Sequence, residues 1–301
     1  MRQNSDSLNR EETEVFEEAR PRLLGLAYRI LGSRADAEDA VQDSFLKWVR
    51  AERGEIENPA SWLTTVCVRR CLDLQRSAQR SRVNYVGAWL PEAVQTSVEH
   101  EAEARMDLSA SLTTAFLLML ERLKPKERAA YLLHDIFEMP YAEIAGMLEI
   151  NESTCRKWVS RAKAHIEQAK VRHATPLEQQ DRLLAAFRAA VEEGTTARLA
   201  ELLSSDVRLS TDGGGKVVAL RETLHGVEPV LRFVSQGLSR YWIGFEWVVT
   251  ELNGGRGILL RQDGATVAAV SFSFDEAGKA TGIFILRNPD KLAHLGPAVL
   301  Q

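Results

Sequence analysis

The sequence predicts a multi-domain protein: two all-α segments followed by an α+β domain. Apolar residues recur at helical spacing between Val15 and Ile166, interrupted by polar turns. The texture then changes at "HATP" (173–176), after which β-branched and aromatic runs alternate with Gly-rich turns. At 301 residues the chain is long enough for two or three hydrophobic cores.

"VFEEARPRLLGLAYRILG" puts Val15, Phe16, Leu23, Leu26, Ala27, Ile30 and Leu31 on one stripe that stops at Gly32. Ser33 is placed to cap the next helix, "SRADAEDAVQDSFLKWVR", whose first-turn acids suit the helix dipole. The polar turn "AERGEIENPAS" leads to a third helix from Pro59 to about Arg80, with Asn58 or Ser61 as its cap. Residues 11–82 thus form one helical domain. A linker (83–108) follows, opening near "WLPEA" (89–93) and continuing as an acidic polar stretch; residues 109–172 are helical again. Residues 177–301 form the third domain. Helices are expected at 177–193, 195–204 and 227–238, and strands at "DVRLS", "KVVAL", "YWIGFEWVVTEL", "RGILLRQ", "TVAAVSFSF" and "TGIFILR". That mixture predicts a curved, mostly antiparallel sheet covered by helices.

A hydrophobic share of 45% and a charged share of 27% are those of an ordinary globular chain. No apolar run approaches the roughly 20 residues that span a bilayer, and the polar N-terminus has no signal-peptide pattern. No membrane association and a cytoplasmic location are expected. Cys67, Cys71 and Cys155 are too few and too scattered for a disulfide framework; the first two, at i,i+4 on a helix, leave a redox or metal role conceivable but read better as small packed side chains. No cofactor and no metal are expected. The net charge of −4 excludes a uniformly basic coat. Charge is nevertheless concentrated locally: Arg69–Arg82 holds five arginines against one acid, and Arg156–Lys170 is a second basic run.

"PYAEIAGMLEINESTCRKWVSRAKAHI" (140–166) has a helix-turn-helix layout. Ile144, Ala145 and Leu148 form the inner face of its first helix. Ile150 sits in the turn, Asn151 caps the second helix, and Val159 and Ala162 face inward. Glu152, Ser153, Thr154, Arg156, Lys157, Ser160 and Arg161 are left outward, the polar and basic surface a DNA major groove requires. Glu149 stands at the turn position that often holds glycine.

At this point the chain resembles a bacterial sigma factor of the extracytoplasmic-function group. "RLLGLAYRILGSRADAEDAVQDSFLKWV" and "NPASWLTTVCVRRCLDLQRSAQR" look like sigma region 2, and "LKPKERAAYLLHDIFEMPYAEIAGMLEINESTCRKWVSRAKAHI" looks like region 4. The resemblance implies core RNA polymerase and promoter DNA as partners. It places Asp36, Asp39, Gln42, Asp43, Phe45 and Trp48 against the polymerase. Asn58, Trp62, Arg69, Arg70, Asp73, Arg76 and Arg80 would meet the −10 element, with aromatics stacking on bases and arginines on phosphates. The outward residues from Glu152 to Arg161 would meet the −35 element. No catalytic residue is expected, because the polymerase performs the chemistry.

"TDGGGKV" (211–217) invites a nucleotide reading. A phosphate loop, however, needs GxxxxGK[ST] between a strand and a helix. Here the glycines are contiguous, Val217 replaces the hydroxyl residue, and a strand-like run follows. What remains is a tight turn between strands that another surface can approach closely. "WLPEA", "DGGGK" and "NPDKL" together resemble the signature of the sigma-J-like (ECF41) group, with Ala93 where that family usually has proline. The resemblance implies an NTF2/SnoaL-like α+β cone behind region 4 that regulates activity in cis through intramolecular contacts, in a chain monomeric when free. It nominates Trp89, Leu90, Pro91, Asp212, Gly213, Gly214, Gly215, Lys216, Asn288, Pro289, Asp290, Lys291 and Leu292 as the regulatory contacts. Two other readings stay open: a ligand-responsive helix-turn-helix regulator, and an enzyme with a helical appendage using Asp206, Asp212 or His225.

Overall fold

A computed structural model describes residues 10–82, 85–95, 111–169 and 175–296; linker residues 96–108 lie outside them, as do the side chains of Arg80 and Arg82. The helical elements are α1 (Arg10–Leu31), α2 (Arg34–Arg50), α3 (Pro59–Arg82), α4 (Thr114–Leu120), α5 (Pro125–Tyr131), α6 (Tyr141–Leu148) and α7 (Glu152–Ala169). Next come α8 (Leu177–Glu192), α9 (Ala197–Leu202), β1 (Leu203–Asp212), β2 (Leu224–His225), α10 (Val227–Arg232) and α11 (Ser239–Trp242). The chain ends through β3 (Glu246–Leu252), β4 (Gly255–Gln262), β5 (Ala265–Phe274), β6 (Ala280–Leu286) and α12 (Pro289–Leu292). Two compact units result: Met1–Val83 with Leu120–His165, and Asn84–Met119 with Ile166–Gln301. No helix among the described residues is long and apolar enough to cross a membrane.

In the first unit α1, α2 and α3 pack pairwise as a bundle around Phe16, Leu23, Leu26, Ile30, Val41, Trp48 and Leu63. The caps are local: the Asp36 N–H donates to Ser33 Oγ (3.2 Å) and the Ser61 N–H to Asn58 Oδ1 (3.0 Å). Of the two candidate caps for α3, Asn58 is the one used. Cys67 and Cys71 are buried inside the bundle. α5 runs on into a π-type turn (Leu132–Ile136) and α6 and α7 follow. Arg128, 1% exposed, anchors α5 by donating to the Ile30 carbonyl (2.6 Å) at the end of α1 and pairing with Glu121 (2.6 Å). The unit also buries Arg29, whose guanidinium desolvation pushes down to about 10, so it stays charged at neutral pH.

The second unit is built on a six-stranded sheet in the order β2-β1-β6-β5-β4-β3. β1 and β6 are parallel and the other pairs antiparallel. One face is covered by α8, α9 and α10 with the π-type turn Phe233–Leu238, around Phe187, Val230, Trp242 and Ile283. Four rings fill its middle: Phe187 lies 5.5 Å from Phe272, 6.4 Å from Trp242 and 6.3 Å from Trp247, in tilted or edge-on contact.

The expected strand "KVVAL" is not a strand. After β1 the chain turns over Gly213–Gly215 and continues irregularly to β2, which is two residues long. Two side chains take the backbone groups a ladder would use: Thr211 Oγ1 accepts the Leu220 N–H (2.7 Å), and Arg287 donates to the Val218 carbonyl (2.6 Å). "YWIG" is likewise helical or turn; Gly244, at φ 84, releases the chain into β3.

Candidate promoter-reading and regulatory surfaces

The helix-turn-helix is formed by α6 and α7. Ile144, Ala145 and Leu148 are buried on α6, and Cys155, Val159 and Ala162 on α7. Asn151 Oδ1 accepts from the Thr154 N–H (2.8 Å), capping α7. Glu149 adopts the left-handed conformation at the end of α6 (φ 54), where the following Ile150 N–H reaches back to the Ala145 carbonyl (3.0 Å). Glu152, Ser153, Arg156, Lys157, Ser160 and Arg161 are exposed and Thr154 half-buried, so the outward set shares one surface. Two of its arginines are already held: Arg156 by Glu152 (Nε–Oε1 3.0 Å) and by the Tyr141 ring, Arg161 by Glu127.

On α3 the nominated residues separate. Arg69, Asp73 and Arg76 are exposed and recur at i, i+4, i+7, so they line one face with the half-buried Trp62, which packs on Trp48 (5.8 Å). Arg69 reaches the turn of the helix-turn-helix, donating to the Met147 carbonyl (3.3 Å) and pairing with Glu149 (3.0 Å). Arg70 lies on a different side and pairs with Asp43 of α2 (2.6 Å). Asn58 is engaged as a cap.

α2 also sorts its residues. Trp48 is 2% exposed and its Nε1 donates to the Glu12 carbonyl (3.0 Å); Phe45 is half-buried against Phe16 (4.8 Å). The outward stripe carries Asp39, Gln42 and Leu46, with Asp36 half-buried at its start. Leu46, 43% exposed, is the apolar end of that stripe. Its position three and seven residues after the α2 acids Asp43 and Asp39 was the available signal.

In the second unit the three short motifs meet. Linker residues 85–95 lie along the sheet face opposite the helices, where Leu90, Ala93, Leu252, Leu259, Phe284, Leu286, Leu292 and Leu295 form a second core. Asp212, fully buried at the end of β1, is the hub. Its Oδ1 accepts from the Tyr85 hydroxyl (2.6 Å) and the Gly214 N–H (3.0 Å). Its Oδ2 accepts from the Leu90 N–H (2.9 Å) and from Lys291 Nζ (2.8 Å). Lys291, 8% exposed, also donates to the Leu90 carbonyl (2.6 Å) and sits 4.5 Å over the Trp89 ring. Asn288 donates to the Tyr85 oxygen (3.0 Å), while Lys216 pairs with Asp290 at the surface (2.6 Å). Burial, and after it the hydrogen bond donated to the Asp212 carboxylate, push the Tyr85 phenol well above its usual value and keep it a donor.

The glycines are required by the packing. A Cβ on Gly213 would lie 2.5 Å from the Val217 carbonyl, and one on Gly214 (φ 62) 2.4 Å from Asn288 Nδ2. Gly215 (φ 72) lies against Val86 of the linker, with 3.3 Å available to a Cβ. Further along, the Val94 N–H donates to Asn253 Oδ1 (2.7 Å) and Gln95 bridges to Leu252 as an added strand position. The void beneath the linker, bounded by Leu90, Thr114, Ser271 and Phe284, is about 10 Å³, room for a water and not for a ligand. Of the acid and base groups nominated for chemistry, Asp206 and His225 are exposed and Asp212 is spent on the hub. Tyr85 escaped the sequence reading, because nothing local marks it as a partner of Asp212.

A capped recognition helix and a three-helix bundle in one unit, followed in the chain by an α+β unit, define a modular sigma-type initiation factor. The Sigma-70 region 2 family matches residues 15–81 and the Sigma-70 region 4 family residues 113–166. The chain is 33% identical to the ECF RNA polymerase sigma factor SigJ of Mycobacterium tuberculosis over 290 residues, 93% of either chain. It is 32% identical to the probable ECF RNA polymerase sigma factor SigI of the same species over 274 residues, 90% of this chain and 91% of the relative. The crystal structure of M. tuberculosis SigJ superposes with a TM-score of 0.72 at 30% identity, over 93% of this chain and 98% of that one. The chain belongs to the extracytoplasmic-function RNA polymerase sigma factors. Its work is transcription initiation with core RNA polymerase at promoter DNA, and its C-terminal domain is of the SnoaL-like kind.

Proposed function

We propose that the chain is a cytoplasmic sigma factor, monomeric when free, whose promoter output is set in cis by the cone. Exposed residues of α7, from Glu152 to Arg161, read the −35 element. The Arg69–Asp73–Arg76 face of α3, with Trp62, Arg70 and Arg80, serves the −10 element. The acidic stripe of α2, which runs from Asp36 and Asp39 to the exposed Leu46, docks on the polymerase: carboxylates leading up to an apolar side chain suit a basic partner surface with an apolar patch. The observation that carries the regulatory part is the seating of linker residues 85–95 on the sheet, with Asp212 and Lys291 holding Tyr85 and Leu90. A tethered domain acts at an effective concentration of order mM, so modest contacts bias the linker between bound and released forms.

Run-off transcription with purified core polymerase tests this, comparing the full chain with versions ending at 172 and at 286. The three are expected to differ in output, the version ending at 286 losing residues 287–301, "NPDKL" among them, and keeping the sheet strands. Equal output from all three removes the regulatory role. Failure of all three on every promoter tried overturns the assignment of the promoter surfaces.

A further inference from the structure

Tyr141, the first residue of α6, lies outside the recognition helix and is half-buried. The Arg156 guanidinium sits 4.3 Å above its ring. The same ring stacks on the His134 imidazole, 3.9 Å away at an interplanar angle of 26°. The imidazole is fixed in turn: its Nδ1 lies 3.0 Å from the Met139 carbonyl, within the turn that precedes α6. Glu152, one helical turn before Arg156, accepts from the guanidinium Nε (3.0 Å) and Nη2, which leaves the Nη1 side of the fork facing away from it. A side chain that is 58% exposed is therefore held both by a ring and by a carboxylate.

An exposed arginine on a DNA-facing helix ordinarily samples many rotamers, and ordering it on contact is unfavourable. Reading a guanine edge needs the planar fork in one orientation, because O6 and N7 are engaged together. A cation resting on an aromatic face has little freedom to tilt. We propose that Tyr141 is a positioning residue for Arg156: its ring presets the guanidinium plane and so sharpens base discrimination where Arg156 reads the −35 element. This rests on the reading of α7 as the recognition helix. The phenol itself contacts no base, and its hydroxyl is dispensable. His134 acts one layer further back, by holding the ring in place.

The test uses holoenzyme reconstituted with the full chain and a pool of promoter templates randomised across the −35 element, with transcripts sequenced. Arg156→Ala first identifies the positions whose preference depends on Arg156. Tyr141→Leu is expected to flatten preference at those positions by about two- to five-fold and to leave the others unchanged. Tyr141→Phe is expected to match the parent, and adding Tyr141→Leu to Arg156→Ala is expected to change nothing further. A uniform drop over all templates for Tyr141→Leu would overturn the proposal. So would an undiminished effect of Tyr141→Leu in the Arg156→Ala background, or a Tyr141→Phe loss as large as that of Tyr141→Leu. If Arg156→Ala moves no position, Arg156 reads no base. The recognition-helix role of Arg156 then falls, and the proposal falls with it.

Discussion

Both faces of the C-terminal sheet are apolar, yet different parts of the chain seal them. The helix side is closed by α8 to α11, segments of the cone itself, through a nearly all-apolar core with Phe187 at its centre. The linker side is closed largely by residues 85–95, more than a hundred positions away in sequence, together with Ala115, Leu292 and Leu295, and its apolar contacts are joined to a charged hub. Hydrophobic burial alone is non-directional and tolerates sliding. A buried carboxylate with four donors fixes one register and depends on every partner being in place. The first face is sealed by apolar burial, whereas the second adds a hydrogen-bonded hub whose members hold one another in place.

The comparison breaks most sharply with Asp212→Ala and Phe187→Ala. Each is expected to destabilise the protein by about 3–5 kcal/mol in urea denaturation, the first by leaving the buried Lys291 without its counter-charge, the second by leaving a cavity. They should differ in limited proteolysis. Asp212→Ala is expected to expose residues 85–95 to cleavage while the cone stays folded, and Phe187→Ala to admit cleavage only as the cone unfolds. Identical cleavage patterns would sink the distinction between the faces. Leu90→Ala removes a 2%-exposed side chain from the linker-side core and is expected to lose about 2–3 kcal/mol, with linker cleavage rising as in Asp212→Ala. Gly214→Ala combines a positive φ with a clash against Asn288, for about 1–2 kcal/mol, read as a lowered Tm. Lys216→Ala deletes an exposed ion pair and should shift Tm by no more than about 1 kcal/mol would. A larger loss there would mean that Lys216 does more than pair with Asp290.

Much of this was legible in residues with local duties. Ser33, Asn58 and Asn151 read as caps because a cap's partner lies three residues away. The outward set of α7 followed from helical spacing. α2 was misjudged by residue type: Trp48 looked like a docking aromatic, but it continues the stripe of Ala37, Val41 and Ser44, all buried. Leu46 takes the outward place. "KVVAL" had strand composition, but Thr211 and Arg287 had already claimed backbone groups of that segment, a competition that propensity cannot register. "DGGGK" and "NPDKL" were visible as motifs; that Asp212 binds Tyr85, 127 residues away, was not, since no period links them.

The parallel pairing of β1 with β6 brings Asp212 level with Leu286. Two strands running the same way finish at the same edge, so the glycine loop and the C-terminal turn leave the sheet as neighbours although 74 residues separate Lys216 from Asp290. One half of the clasp is therefore embedded in the domain, and the other hangs beyond its last strand. A cut after Leu286 would keep all six strands, but it would remove Lys291 with the bonds it makes, the Arg287 N–H that donates to the Asp212 carbonyl (2.7 Å), and the core side chains of Leu292 and Leu295. The grip on the linker goes with that segment, while the strands that build the sheet stay in the chain.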